Sequence, residues 1–171
     1  MTPDRLQRAA AWTEIRQVQN RYADIVTRRA WDELAEIMRP DCRLQLDLGD
    51  RELEFVGPAA IGEFIGTSLE QFSFFEFVIL NTVIDIHDDR AGARMYMQEI
   101  RQNHSDGRRT DAYGVYHDRF EHDDDGRWSI AQRWYQSFAR TASPESPGEL
   151  DVIGFNPVSY THLTLPTTPY V

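Results

Sequence analysis

The 171-residue chain predicts an α+β domain, with helices first and a mostly antiparallel sheet last. Three observations predict it. Apolar residues recur at helical spacing over 15–26, four long alternating segments follow from about residue 75, and the last two frame an acidic turn, EHDDDGR. The hairpin over 110–140 is the best-specified object in the chain. Its arms carry Tyr113, Val115, Tyr116, Phe120, Trp128, Ile130, Trp134, Tyr135 and Phe138, side chains that suit a pleated, half-buried surface. Gly126 closes the turn because it tolerates positive φ.

The elements follow in order. Thr2-Pro3-Asp4 puts a cap residue before a proline at the first helical position, which predicts a helix over 3–29. Ile15, Val18, Tyr22, Ile25 and Val26 form its apolar stripe. Trp31 to Met38 repeats the pattern briefly, and Pro40 is expected to stop it. Asp41 to Leu48 alternates Cys42, Leu44, Leu46 and Leu48 with polar neighbours, a half-buried strand. Gly49-Asp50 turns the chain into a returning strand over Glu52 to Val56. Gly57-Pro58 opens a further helix with Ile61, Phe64, Ile65 and Leu69 inward. Strands are then expected over about 75–87, 91–104 and 109–121, punctuated by Asp88-Asp89 and Ser105-Asp106-Gly107. Curvature in such a sheet leaves a cavity beneath the helices, where a ligand would sit.

The domain is expected to span 1–140, followed by a flexible segment over 141–157. Residues 156 to 171 contain no Asp, Glu, Lys or Arg, a sharp break from what precedes. The last stretch resembles a translated sequencing adapter, so 158–171, with His162, is set aside as non-native.

Composition excludes several classes. Hydrophobic residues at 41% and charged residues at 27% are ordinary for a soluble globular domain. A formal charge of −10 argues against nucleic acid and anionic membranes as partners. No apolar run approaches the roughly 20 residues that span a bilayer, and MTPDRLQRAA lacks the layout of an export signal. The lone Cys42 cannot close an internal disulfide, so a reducing cytoplasm is expected and the thiol reads as buried and structural. All basic residues are Arg, which fits GC-rich bacterial coding.

Four segments carry a family resemblance: EIRQVQNRYADIV from Glu14, AWDELAEIMRPDC from Ala30, FVGPAAIGEFI from Phe55, and DGRWSIAQR from Asp125. In their order they resemble the SnoaL-like branch of the nuclear transport factor 2-like superfamily, over roughly residues 5 to 140. The resemblance implies a cone of curved sheet, an α+β roll closed by N-terminal helices, usually in an oligomer. Members include polyketide cyclases, scytalone dehydratase, a hexachlorocyclohexane dehydrochlorinase and ketosteroid isomerase relatives, and others that bind without chemistry. Dehydratase-like members place an Asp near the end of the first helix and a His on the strand that begins the sheet. Here those positions hold Thr27 and Phe77, whereas the Arg of the last strand is kept as Arg133.

Strand alternation then assigns faces. With Phe77 and Arg133 toward the cavity, Ile79, Asn81, Ala131, Tyr135 and Ser137 share that face. By analogy with the family's pocket, Met95, Met97, Glu99 and Arg101 line the middle strand, and Ala112, Gly114, Tyr116 and Asp118 the next. Glu99 is the candidate general base, Arg133 the oxyanion partner, and Tyr22 and Tyr116 the hydroxyl donors. Thr27, Phe77, Asn81, Met97, Asp118 and Tyr135 are candidate substrate contacts. The bland alternative for Glu99 is an ion pair with Arg133 or Arg101. His117 and His122 fall on opposite faces and no histidine shows metal-ligand spacing, so neither metal nor cofactor is expected. The opposite parity of the last strand, Trp128, Ile130, Trp134 and Phe138, predicts a homodimer or small homo-oligomer built through the sheet.

The expected function is that of a small-molecule pocket protein: a cofactor-free dehydratase or isomerase, abstracting a proton from a hydrophobic cyclic, polyketide- or steroid-like substrate. The alternative is a ligand-binding or structural module of the same fold.

Overall fold

The computed structural model describes residues 3–142 and 148–153; the segment 158–171 lies outside them. Helix α1 (Pro3–Arg28) forms where the apolar stripe placed it. It ends because Arg29 turns left-handed, at φ 60°. The Ala30 N–H donates back to the Ile25 carbonyl and the Arg29 N–H to the Val26 carbonyl, the paired bonds that close a helix end. Glycine is usual at such a position. Here an arginine takes it, and its guanidinium donates to the Phe72 carbonyl at 2.8 Å.

The brief second helix is a 3-10 turn, Trp31–Glu36, without a side-chain cap. Strands β1 (Met38–Asp47) and β2 (Glu52–Val56), helix α2 (Pro58–Leu69), and strands β3 (Phe72–His87), β4 (Arg90–Asn103), β5 (Arg109–His122) and β6 (Trp128–Thr141) follow. Pro40 therefore does not terminate a helix. It lies inside β1, where the pairing with β6 is interrupted between Met38 and Arg43, a place that asks no ladder N–H of it. A short seventh strand, β7 (Leu150–Val152), falls within the segment expected to be flexible.

The sheet runs β2-β1-β6-β5-β4-β3, antiparallel except that β1 lies parallel to β6. Pairing of β1 with β6 stops at Gln136, and β7 takes over the same edge at Ala139–Thr141. The helical layer covers one face of this bent sheet. Ile15, Tyr22, Ile25 and Ile61 meet Leu44, Met95, Met97 and Phe120 in one core. Phe55 of β2 stacks on Phe64 of α2, with centroids 4.2 Å apart. Helix α1 also lies along the free edge of β3. Arg8 donates to the Ile86 carbonyl at 3.2 Å, and the Thr27 hydroxyl accepts from the Phe77 N–H at 3.1 Å. Among the described residues no helix is long and apolar enough to cross a membrane.

Two bulges correct the face assignment. In β3, Ile79 pairs with Met97 but Asn81 with Tyr96, so Leu80 is an extra residue and the alternation reverses after it. Thr82, Ile84 and Ile86 now oppose Met95, Ala93 and Ala91, and Asn81 turns outward into solvent. Asn81 is therefore not a cavity residue. In β6, Ile130 pairs with Phe120 and Gln132 with Arg119, leaving Ala131 extra. Trp128 and Ile130 consequently join Arg133 on the concave side and are buried in the core. Only Trp134 and Phe138 of the expected aromatic row remain outside, half-buried.

Candidate active site

The concave face is graded from a sealed end to an open one. At the sealed end Asp118 and Arg133 are direct partners across the β5–β6 ladder. Arg133 Nε donates to Asp118 Oδ1 and Nη2 to Oδ2, both at 2.7 Å, and both side chains are 0% exposed. The fork-on-fork geometry is the strongest form of this pair. The Tyr22 ring lies 3.8 Å from the guanidinium carbon and the Tyr116 ring 4.4 Å, a cation held between two π faces. Burial alone would lower the Arg133 pKa. The Asp118 charge and its hydrogen bonds, then the two tyrosines, more than reverse that and raise it. Arg133 is therefore taken by Asp118, and of the two ion pairs expected for Glu99 only the one with Arg101 forms. One guanidinium nitrogen, Nη1, has no hydrogen-bond partner among the described residues.

Gln19 was missed by sequence reasoning. It is 0% exposed, and its Oε1 accepts from Arg16 Nη1 at 3.1 Å. A guanidinium can only donate, which fixes the amide and leaves Nε2 as a buried donor with no acceptor among the described residues. The signal was present: an amide interrupts an otherwise apolar stripe.

The middle of the face is aromatic. Tyr22 meets Phe77 edge-on at 5.4 Å and Tyr116 at 5.9 Å, while Tyr116 and Tyr135 are 4.9 Å apart. Gly114 permits this: a Cβ there would run into the Tyr135 ring and come within 2.6 Å of the Gln136 carbonyl. Burial raises the pKa of all three hydroxyls, so they stay protonated donors. Met95 and Met97 floor this stretch.

At the open end Arg101 Nη1 donates to Glu99 Oε2 at 3.4 Å, and the side chains keep 18% and 22% of their exposure. Arg101 also lies 5.1 Å over the Phe72 ring. Desolvation raises the Glu99 pKa, with Arg101 opposing it. Glu99 pairs with Ala112, six residues along β5 from Asp118, so the backbone positions that carry the two pairs lie at most about 20 Å apart along the strands. They share a face but do not converge on one atom. Both charges nonetheless act on the Tyr22 and Tyr116 hydroxyls.

Thr27 and Phe77 come together, but through the edge bond that fastens α1 to β3. Cys42 is buried and unpaired, and burial pushes its thiol up to about 12, an inert structural group. A surface groove of about 730 Å³ beside Trp31, Gly62 and Gly66 shares no residue with this face.

Comparison with known proteins gives a consistent result. The profile of the SnoaL-like domain matches residues 7–134. No curated protein matches the sequence. Among solved structures, a provisionally named scytalone dehydratase from Novosphingobium aromaticivorans aligns with TM-score 0.69 at 20% identity, covering 84% of this chain and 92% of that one. Hexachlorocyclohexane dehydrochlorinase LinA-type3 from Novosphingobium barchaimii aligns with TM-score 0.72 at 15% identity, covering 84% and 97%. A nuclear transport factor 2-like protein from Salmonella enterica aligns with TM-score 0.69 at 17% identity, covering 81% and 99%.

Proposed function

The chain belongs to the SnoaL-like domain family, and from that premise we propose that it binds a hydrophobic cyclic molecule on its concave face and draws a proton from it, as a cofactor-free lyase or isomerase. One observation carries the reading: Arg133 is a fully buried cation with two nitrogens committed to Asp118 and a third, Nη1, that meets no hydrogen-bonding geometry among the described residues, although the Tyr22 hydroxyl interacts with the same guanidinium. A buried donor left unmet is costly, and a ligand oxygen would meet it.

The substrate body lies along Tyr22, Phe77, Met97, Tyr116 and Tyr135. Its carbonyl oxygen takes a hydrogen bond from Arg133 Nη1 or the Tyr116 hydroxyl. Glu99, its pKa raised by burial, accepts a proton from a carbon conjugated to that carbonyl. The C–H electron pair moves onto the oxygen, where the fixed cation stabilises it. Reprotonation at another carbon completes an isomerisation, and loss of a leaving group completes an elimination. The separation of Glu99 from Arg133 favours a fused-ring frame, polyketide- or steroid-like.

A second reading, ligand binding without chemistry, is favoured by Thr27 and Phe77 standing at the positions where relatives carry their acid–base pair. Solvent-deuterium exchange into a ligand found by thermal-shift screening of steroids, polyketide fragments and aromatic acids decides between them. Exchange that falls at least a hundredfold in Glu99→Gln, with binding retained, supports catalysis. Binding with no exchange in the unaltered protein supports the binding module.

Association is proposed through the outer face, which carries the apolar side chains Leu80 and Val83 on β3 and Trp134 and Phe138 on β6, with Arg94 and His117 in the row between Val83 and Trp134. A homodimer in sedimentation at micromolar concentration is the expected result. The unpaired Cys42 fits a reducing cytoplasm.

A further inference from the structure

Two polar atoms at the open end of the concave face have nothing to bond. Arg101 Nε and Thr110 Oγ1 are both buried, and neither has a hydrogen-bond partner among the described residues. The two residues are direct partners in the β4–β5 ladder, so their Cβ atoms stand about 5 Å apart on one face. Yet they do not bond each other. Arg101 is also fixed in place: its guanidinium lies over Phe72, and its Nη1 reaches Glu99 only through a single long contact of 3.4 Å. The result is a positioned guanidinium edge with a hydroxyl beside it, both unused.

A planar guanidinium edge next to a second donor matches a carboxylate, which accepts two hydrogen bonds side by side. We infer that the substrate is an acid, with an apolar ring body along Tyr22, Tyr116 and Tyr135 and a carboxylate held by Arg101 and Thr110. This rests on the reading of the concave face as a ligand site. It also joins the two halves of that reading. A ligand carboxylate would take Arg101 from Glu99, whose weak ion pair would open and leave its own carboxylate available to accept a proton.

The test uses two probes of the same shape, 2-naphthoate and its neutral amide 2-naphthamide, titrated calorimetrically into the full chain. The unaltered protein should bind the acid about tenfold or more tightly than the amide. Arg101→Gln should erase that preference while still binding the amide. Thr110→Val, nearly isosteric, should weaken the acid several-fold and leave the amide unchanged. Glu99→Gln should strengthen acid binding, because the competing carboxylate is gone; an Arg101 that merely braced the sheet would show no such gain. Equal affinity for both probes, or a preference that survives Arg101→Gln, overturns the acid inference and leaves the ligand site standing. Failure of both probes to bind overturns the ligand site and the inference together.

Discussion

Two arginines on one concave face hold carboxylates in opposite ways. Arg133 grips Asp118 with two bonds of 2.7 Å, between two tyrosine rings, with no exposure on either side chain. Arg101 touches Glu99 once, at 3.4 Å, two residues away on its own strand, with both side chains partly wet. The charges are alike; the surroundings are not. Where water is excluded, a pair must be saturated to be tolerated, and removing one partner strands the other. Where water reaches in, the pair is weak and exchangeable. The sealed end therefore holds its pair rigidly, whereas the pair at the open end is loosely held.

The largest effect should come from Asp118→Asn, which leaves Arg133 buried without a counter-charge. Urea unfolding should report a loss of about 3–5 kcal/mol. Glu99→Gln should change stability by less than about 1 kcal/mol in the same assay. Equal losses would erase the distinction between the two ends. Gly114→Ala probes the stretch between them. Its methyl would drive Tyr135 off the Tyr116 ring, and melting should show an overpacking loss of about 1–3 kcal/mol; an unchanged melting point would mean that the tyrosine can move freely.

The smallest effect is a pH dependence with a definite sign. The folded-state pKa of Glu99 lies above its ordinary 4.5, so the folded protein holds that proton more tightly than the unfolded chain. Its contribution is fully present below about pH 4.5 and is lost as pH rises through the raised value. Melting curves of the unaltered protein and Glu99→Gln should therefore separate in the variant's favour as pH increases across that window. Arg133, whose pKa is raised further above an already high value, should contribute no such window. A flat difference between the two proteins would place Glu99 in water and remove the gradient along the face.

The fold was legible because its signals are local: the stripe of α1, the alternation of β4 and β5, and the acidic turn closing on Gly126, which does adopt φ 76°. Arg133 and Tyr22 were legible as inward residues for the same reason. Asn81, Trp128 and Ile130 were not, because Leu80 and Ala131 each add one residue to a strand. Alternation assumes one-to-one pairing, and a bulge changes the count without changing the composition. The identity of the Arg133 partner had the same obstacle. Asp118 and Glu99 are both acidic and both inward; only the register puts Asp118 directly opposite.

The contacts between α1 and β3 decide what another copy of the chain can attach to. β3 is the last strand of the sheet, a row of 16 residues whose outward backbone groups could template a foreign strand. Arg8 at Ile86, Thr27 at Phe77 and Arg29 at Phe72 occupy that template near both ends and along its length. The opposite edge, β2, is only five residues long and displays Glu52 and Glu54. The helix contacts along β3 and the short, acidic β2 thus oppose strand addition at these two edges. The helix that covers the concave face thus also covers one edge of the sheet.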